Sequence, residues 1–262
     1  MDEQTFEFPD AELVNCGLNL QAAVDLSVEL NGESMALPTS VAGYSHLLVF
    51  GHGGQKFWGQ MSQGDTQTID PLDTYSVACV VDFLKRRDIK SFEFIYPTGG
   101  LRIGDAQRID LRRLGRVLGW QFDSPLGIGI NPHYGLWFGY RVVVAVNVAV
   151  NVAVNAAVPL DSAFNKTLNV TALPDSHPCD ACAAKPCVAA CPVGAVGETF
   201  NLTACVNHRV QPGSECARQC LARAACPVGT EHQYSLSQIQ YHYDISLNAI
   251  REFADVIDKP YL

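Results

Sequence analysis

Eight of the ten cysteines fall between residues 179 and 226, in the order Cys179-x2-Cys182-x4-Cys187-x3-Cys191-Pro192, then Cys205, Cys216-x3-Cys220 and Cys226-Pro227. Thiols at this density must be ligated, paired or buried, so the stretch constrains the fold more than any hydrophobic pattern does. A [4Fe–4S] cluster takes four thiolates, and eight cysteines divide into two such clusters. Structural zinc usually takes two short Cys-x2-4-Cys knuckles per site. A zinc reading accounts for Cys179 and Cys182 as one knuckle and leaves both Cys-Pro endings unexplained. A disulfide framework belongs to an oxidising compartment and usually to a small secreted domain. The start of this chain, MDEQTFEFPD, is acidic and lacks the basic and apolar regions of a signal peptide. The expected location is therefore cytoplasmic, and the glycosylation triplets at Asn165, Asn169 and Asn201 are read as chance matches.

The cysteine order resembles that of two-cluster ferredoxins, in which the Cys before Pro in each half ligates the cluster of the other half. Carried onto this sequence, that rule gives one cluster to Cys179, Cys182, Cys187 and Cys226, and the other to Cys205, Cys216, Cys220 and Cys191. The spacing departs from the plain x2, x2, x3 run. Pro186-Cys187-Val188 resembles the first-cluster segments of iron–sulfur subunits that serve larger redox enzymes.

A module of that kind occupies only about 80 residues, counted from the cysteine run onward, of a 262-residue chain. Most of the chain therefore does something else. The composition is globular, 48% apolar and 17% charged, and no apolar run reaches the ~18 residues that would span a bilayer. A soluble protein without a membrane partner is expected. The net charge of −9 argues against general nucleic-acid binding, which needs surplus Lys and Arg to neutralise phosphates. The bases are unevenly spread: residues 1–84 hold only Lys56, whereas nine of the 18 lie between Lys85 and Arg116. On a helix through 107–118, Arg108, Arg112 and Arg116 share one face opposite Leu111, Leu114 and Leu118. That face is either simply solvated or a site for a phosphate-bearing ligand or an acidic redox partner.

The pattern upstream predicts a short helix over 9–16 stopped by Gly17, a strand over 18–26 and a strand over His46–Phe50. Gly51-His52-Gly53-Gly54 follows, a Gly-rich turn that could cradle a phosphate or merely turn the chain, before a helix over 55–61. Asp70-Pro71 opens a helix to about Arg87, with Cys79 inside it as a core residue. Ser91–Tyr96 and Gly127–Ile130 read as strands. From Val142 to Val158 the sequence alternates with period two, a strand signal, but the run is far longer than a usual strand. Its first half is expected to be a central strand and the remainder to leave the sheet. Alternating strands and helices imply a layered α/β or α+β domain. Ser235–Ile257 has helical spacing and should close the structure.

Just before the valine strand stands Asn131-Pro132-His133-Tyr134-Gly135-Leu136-Trp137-Phe138-Gly139-Tyr140-Arg141. This resembles the His-Pro-x-aromatic-Gly-x-Trp-Phe-x-x-Arg segment of the cobalamin-processing chaperone family, and more loosely the Gly-x-Trp-Phe of epoxyqueuosine reductases. Those reductases, like reductive dehalogenases, join such a domain to a C-terminal module with two [4Fe–4S] clusters. The resemblance implies an α+β fold, with a nitroreductase-like sheet-and-helix domain followed by a small bacterial-ferredoxin-like iron–sulfur module. It divides the chain into a cofactor- or substrate-binding domain at 1–158, a linker at 159–178, the module at 179–234 and a closing helix at 235–262. It further implies a pocket for cobalamin, or for a flavin, framed by Pro132, Gly135, Trp137, Phe138 and Arg141. Asn131 stands where the family has His, and no carboxylate matches the reductases' proton donor, so no catalytic residue is assigned. Read from chemistry alone, Gly135 allows a tight turn, Trp137 and Phe138 are large apolar surfaces equally suited to a core, and Arg141 can pair with phosphate or carboxylate. His52 and His133 are the better candidates for a proton donor or axial ligand. His208 could hydrogen-bond near a cluster.

The expectation is an iron–sulfur redox protein that takes electrons from a donor protein and relays them to a pocket in the N-terminal domain, as a corrinoid-linked reductase of a small molecule. The alternatives are a ferredoxin-type carrier docking to a larger oxidoreductase, or clusters acting as structural staples.

Overall fold

The computed structural model describes residues 8–26, 38, 41–63, 70–97, 109–148 and 177–251, together with the backbone of 252–257. The chain forms two compact units, Met1–Gln121 with Phe138–Asp175, and Phe122–Trp137 with Ser176–Leu262. The second half of the valine run, the expected linker through residue 176, and Arg108 lie outside the described residues. Among the described residues no helix is long and apolar enough to cross a membrane.

The first unit is an α+β layer built on an antiparallel sheet of β1 (Leu20–Asp25), β2 (His46–Gly53), β3 (Phe92–Tyr96) and β6 (Phe138–Val146), in the order β1-β2-β6-β3. Helices α1 (Ala11–Asn15), α2 (Lys56–Met61), α3 (Pro71–Arg86) and α4 (Leu111–Val117) complete it. The antiparallel pairing settles α+β over α/β. The start of the valine run is an interior strand, as its composition predicts. It is buried on both faces: Val142, Val144 and Val146 pack with Phe50, Val80, Phe83 and Leu84, while Val143 and Ala145 are also fully buried. Period-two alternation normally marks a half-buried strand. Here both sets of positions are small and apolar, so neither face requires water.

The expected glycine turn after His46–Phe50 is instead strand. Gly51, His52 and Gly53 continue β2 and pair with Tyr140, Gly139 and Phe138 after a register shift at Phe50/Gly51. An added Cβ on Gly51 would lie 2.8 Å from the Gly139 carbonyl oxygen, so this glycine permits close strand approach at a bulge. The Gly53 amide donates to Asn19 Oδ1 at 2.8 Å, and the sheet uses this backbone rather than offering it to a phosphate. In α4, Arg112 and Arg116 are exposed while Leu114 and Leu118 are buried, the amphipathic division that the spacing predicts.

Asp10 holds α1 to α3. It is 3% exposed, and its carboxylate caps α1 by accepting from the Glu12 and Leu13 amides at 3.1 and 3.0 Å. It also pairs with Arg87 at 2.8 Å and Arg86 at 3.5 Å. Burial pushes its carboxyl up, but Arg87, the Leu13 amide and Arg86 together outweigh burial and hold it below the ordinary 3.8. The charged form therefore favours the fold at all pH values above the ordinary range, and that contribution fades as pH falls through the lowered native value. We expect Asp10→Ala to cost roughly 3 kcal/mol, the scale for breaking a buried pair. Denaturant unfolding at neutral pH checks this, and Asp10→Asn should flatten the loss of stability below pH 3.8.

The second unit contains the short antiparallel pair β4 (Phe122–Asp123) and β5 (Gly129–Ile130). Helices α5 (Pro186–Ala189), α6 (Leu202–Arg209), α7 (Leu221–Ala224) and α8 (Leu236–Ile257) follow. Residues 122–137, which a linear division assigns to the N-terminal domain, thus belong with the cysteines.

Candidate metal centre

All ten cysteines are free thiols. In the second unit they fall into two groups. Burial pushes the Cys179 thiol up, and the thiols that add to this are those of Cys226, Cys187 and Cys182. Cys226 is likewise pushed up by burial and by Cys187 and Cys182. Cys205 is pushed up by burial and by Cys220, Cys191 and Cys216, and Cys216 by burial and by Cys220 and Cys191 among its neighbours. Each Cys-Pro cysteine thus neighbours the thiols of the opposite half.

Local structure explains the exchange. Pro186 opens α5 with Cys187 in its first turn, and two residues after the helix ends comes Cys191. Cys220 caps α7, and Cys226 follows its end by two residues. The two short helices pack on one another, so each outgoing Cys-Pro is delivered toward the opposite half.

Cys191, Cys205, Cys216 and Cys220 line one cavity of about 370 Å³, walled by Leu126, Val196, Phe200 and Tyr243. Backbone amides point at the sulfurs: Ala195 N–H donates to Cys191 Sγ at 3.3 Å and Arg223 N–H to Cys220 Sγ at 3.4 Å. Amides of Leu221 and Val228 do the same for Cys216 and Cys226. Such bonds stabilise thiolate and would tune a cluster's potential. Around the other group, Cys187 and Cys226 pack into an apolar core with Leu126, Ile130 and Leu136. Among the described residues no three His, Cys, Asp or Glu side chains converge on a single-ion site. The donor set, all sulfur in two groups of four with amides aimed at the sulfurs, fits [4Fe–4S] ligation. The upward shifts mean that ligation must displace thiol protons.

Two arginines and a histidine that the sequence pattern did not single out organise this centre. Arg209, on α6 four residues after Cys205, donates to the carbonyls of Cys216 at 3.2 Å and Tyr243 at 3.4 Å and to Ser246 Oγ at 3.1 Å. It ties the Cys216 loop to α8. Arg223 donates to the Leu136 carbonyl at 2.5 Å, with its guanidinium 4.4 Å over the Trp137 ring and 5.2 Å from Tyr234. His177 Nδ1 accepts from the Cys179 amide at 3.0 Å, which leaves the proton on Nε2 to donate to the Asp123 carbonyl at 2.7 Å. The spacing of Arg209 from Cys205, one helical turn, was the one available signal. His208 lines the cavity beside them, and its Nε2 has no hydrogen-bond partner.

The five residues named for a cofactor pocket fall in both units, Pro132, Gly135 and Trp137 in the second and Phe138 and Arg141 in the first. Asn131 is fully buried, and its Oδ1 accepts from the His133 and Tyr134 amides to close the turn that ends at Gly135. Pro132 is half-buried in that turn. Gly135 adopts φ +58°, and a Cβ there would collide with the Val228 carbonyl. Trp137 is 2% exposed, covered by Arg223 and Tyr234. Pro132, Gly135 and Trp137 thus lie within the second unit. His133 packs against Tyr134 and His232. Phe138 and Arg141 begin β6 in the first unit. Arg141 Nε donates to His52 Nδ1 at 3.0 Å, and both side chains lie on Phe57. Burial pushes Asp73 and Tyr96 up, and the Arg141 charge opposes both shifts. Arg141, His52, Asp73 and Tyr96 therefore form a polar group on the first unit, of which the sequence pattern flagged only the first two.

No protein-family model matches the sequence, and no curated protein matches it. Among solved structures the chain is similar to the crystal structure of epoxyqueuosine reductase with an epoxyqueuosine-modified tRNA-Tyr stem loop. The TM-score is 0.49 at 14% identity, covering 88% of this chain and 67% of that one.

Proposed function

We propose that this protein is an iron–sulfur electron-transfer protein whose C-terminal, bacterial-ferredoxin-like module carries two [4Fe–4S] clusters on crossed ligand sets and serves a reductase site in the N-terminal unit. The observation that carries the reading is the cavity lined by Cys191, Cys205, Cys216 and Cys220. A cluster bound there supplies one-electron redox chemistry. The chain's own contribution is to hold the thiols apart in two sets, to aim amides at the sulfurs, and to exclude water with Leu126, Phe200 and Tyr243. In the N-terminal unit, nitroreductase-like in this reading, Arg141 is placed to hold an anionic group of a small substrate, with His52 orienting the guanidinium. No step is assigned to a corrinoid or flavin.

The second reading is a carrier that docks to a larger oxidoreductase. It is favoured by the exposed Arg112 and Arg116 face of α4, which could steer an acidic partner. The net charge of −9 still weighs against general nucleic-acid binding.

Anaerobic reconstitution with iron and sulfide tests the proposal. We expect roughly eight irons per chain, visible absorbance that bleaches on reduction, and reduction-dependent EPR signals. Uptake of metal without sulfide would overturn it. Titration of the same sample with cobalamin, and with a flavin, should give no spectral shift at the five motif residues' expense. A shift abolished by Arg141→Ala would restore the cofactor-linked version.

A further inference from the structure

The cysteines outside the module, Cys16 and Cys79, are far apart in sequence, both free, and both in the first unit. Cys16 caps the C-terminus of α1, and Cys79 lies in the middle of α3. Folding makes them neighbours. The side chains that act on the Cys79 thiol are those of Cys16 and Tyr75. Tyr75, one helical turn earlier on α3, donates from its hydroxyl to the Cys16 carbonyl at 3.1 Å and packs edge-on against Phe57. The helices that carry the two thiols are clamped together by Asp10 with Arg86 and Arg87, so the approach is held by elements on both sides. Neither cysteine residue is fully buried.

We propose that Cys16 and Cys79 are a reversible dithiol–disulfide site, oxidised by low-molecular-weight disulfides, that ties α1 covalently to α3. The Cys16 thiolate attacks one sulfur of the small disulfide, forming a mixed disulfide and releasing one thiolate. Cys79 then loses its proton and attacks the Cys16 sulfur, forming the intramolecular bond and releasing the second thiolate. Two cysteine thiols are oxidised, one small disulfide is reduced to two thiols, and the two protons go to those leaving groups. Burial, with the Cys16 thiol beside it, pushes the Cys79 thiol up, which makes Cys79 the slower nucleophile and the second to react. This inference is independent of the cluster reading.

The test treats the full-length, cluster-loaded protein anaerobically with rising glutathione disulfide, quenches it with iodoacetamide, and maps the peptides by mass spectrometry while recording cluster absorbance in the same sample. The expected result is a cross-linked Cys16–Cys79 peptide, with loss of alkylation at both positions before cluster absorbance declines. Cys79→Ser should trap glutathione on Cys16. Oxidised wild type should melt several degrees above the reduced protein, and Cys16→Ser should melt at the same temperature in both states. Full alkylation of both cysteines at every oxidant ratio would overturn the proposal, as would a cross-link from either one to a cysteine of the module. The wild-type mapping stands even where a variant folds poorly.

Discussion

Cys226→Ala is expected to remove about half of the reconstituted iron, and the half it removes should belong to Cys179, Cys182 and Cys187 rather than to its own sequence neighbours. The reason is geometric. Cys226 follows Cys220 by only five intervening residues, yet the thiols that perturb it are Cys187 and Cys182, because α7 delivers it toward the opposite half. Double variants read the partition directly. Cys226→Ala with Cys179→Ala should lose no more iron than Cys226→Ala alone, since both strike one cluster. Cys226→Ala with Cys216→Ala should lose nearly all of it. The reverse pattern of non-additivity would show that each half keeps its own Cys-Pro ligand and would sink the crossed assignment.

Gly135→Ala should be nearly as damaging, although Gly135 is no ligand. Gly135 and Gly229 both have positive φ, +58° and +65°, and each lies against the other's backbone. A methyl group on Gly135 meets the Val228 carbonyl, and Val228 donates its own amide toward Cys226. Left-handed strain and overpacking together should cost roughly 3 kcal/mol. The displaced Val228 segment should also weaken the cluster that depends on Cys226. We expect lowered thermal stability together with loss of about half of the iron. The control is Gly194→Ala, at a positive-φ glycine where an added Cβ meets nothing within 4 Å. It should show the backbone strain alone and retain its iron. Equal iron content in Gly135→Ala and wild type would mean that the 131–135 turn and the cysteine loops are mechanically independent.

Much of this was legible in the residues, for identifiable reasons. Val142–Val146 announced an interior strand because only small apolar side chains stand on both of its faces. Asp70-Pro71 announced α3, and the leucines of α4 announced its buried side, because helix geometry repeats within a few residues. The eight cysteines and the two Cys-Pro endings announced a thiol-rich module, because their density is visible in the linear order alone. These are local or compositional facts, and the sequence by itself determined them. Other features were decided only in three dimensions. The Gly51–Gly53 stretch reads as a turn until β6 supplies the partner that makes it strand. Trp137 reads equally as pocket framework or core, and only the fold shows Arg223, far along the chain, lying over its ring. Residues 122–137 read as part of the N-terminal domain until Leu126, Ile130 and Leu136 are seen to pack with Cys187 and Cys226. The same holds for Cys79, which reads as a lone core cysteine until α1 brings Cys16 beside it. In each case the deciding contact joins residues remote in sequence. Their pairing depends on how packed elements exclude water and fill space, a property of the assembled core that no short window of sequence contains.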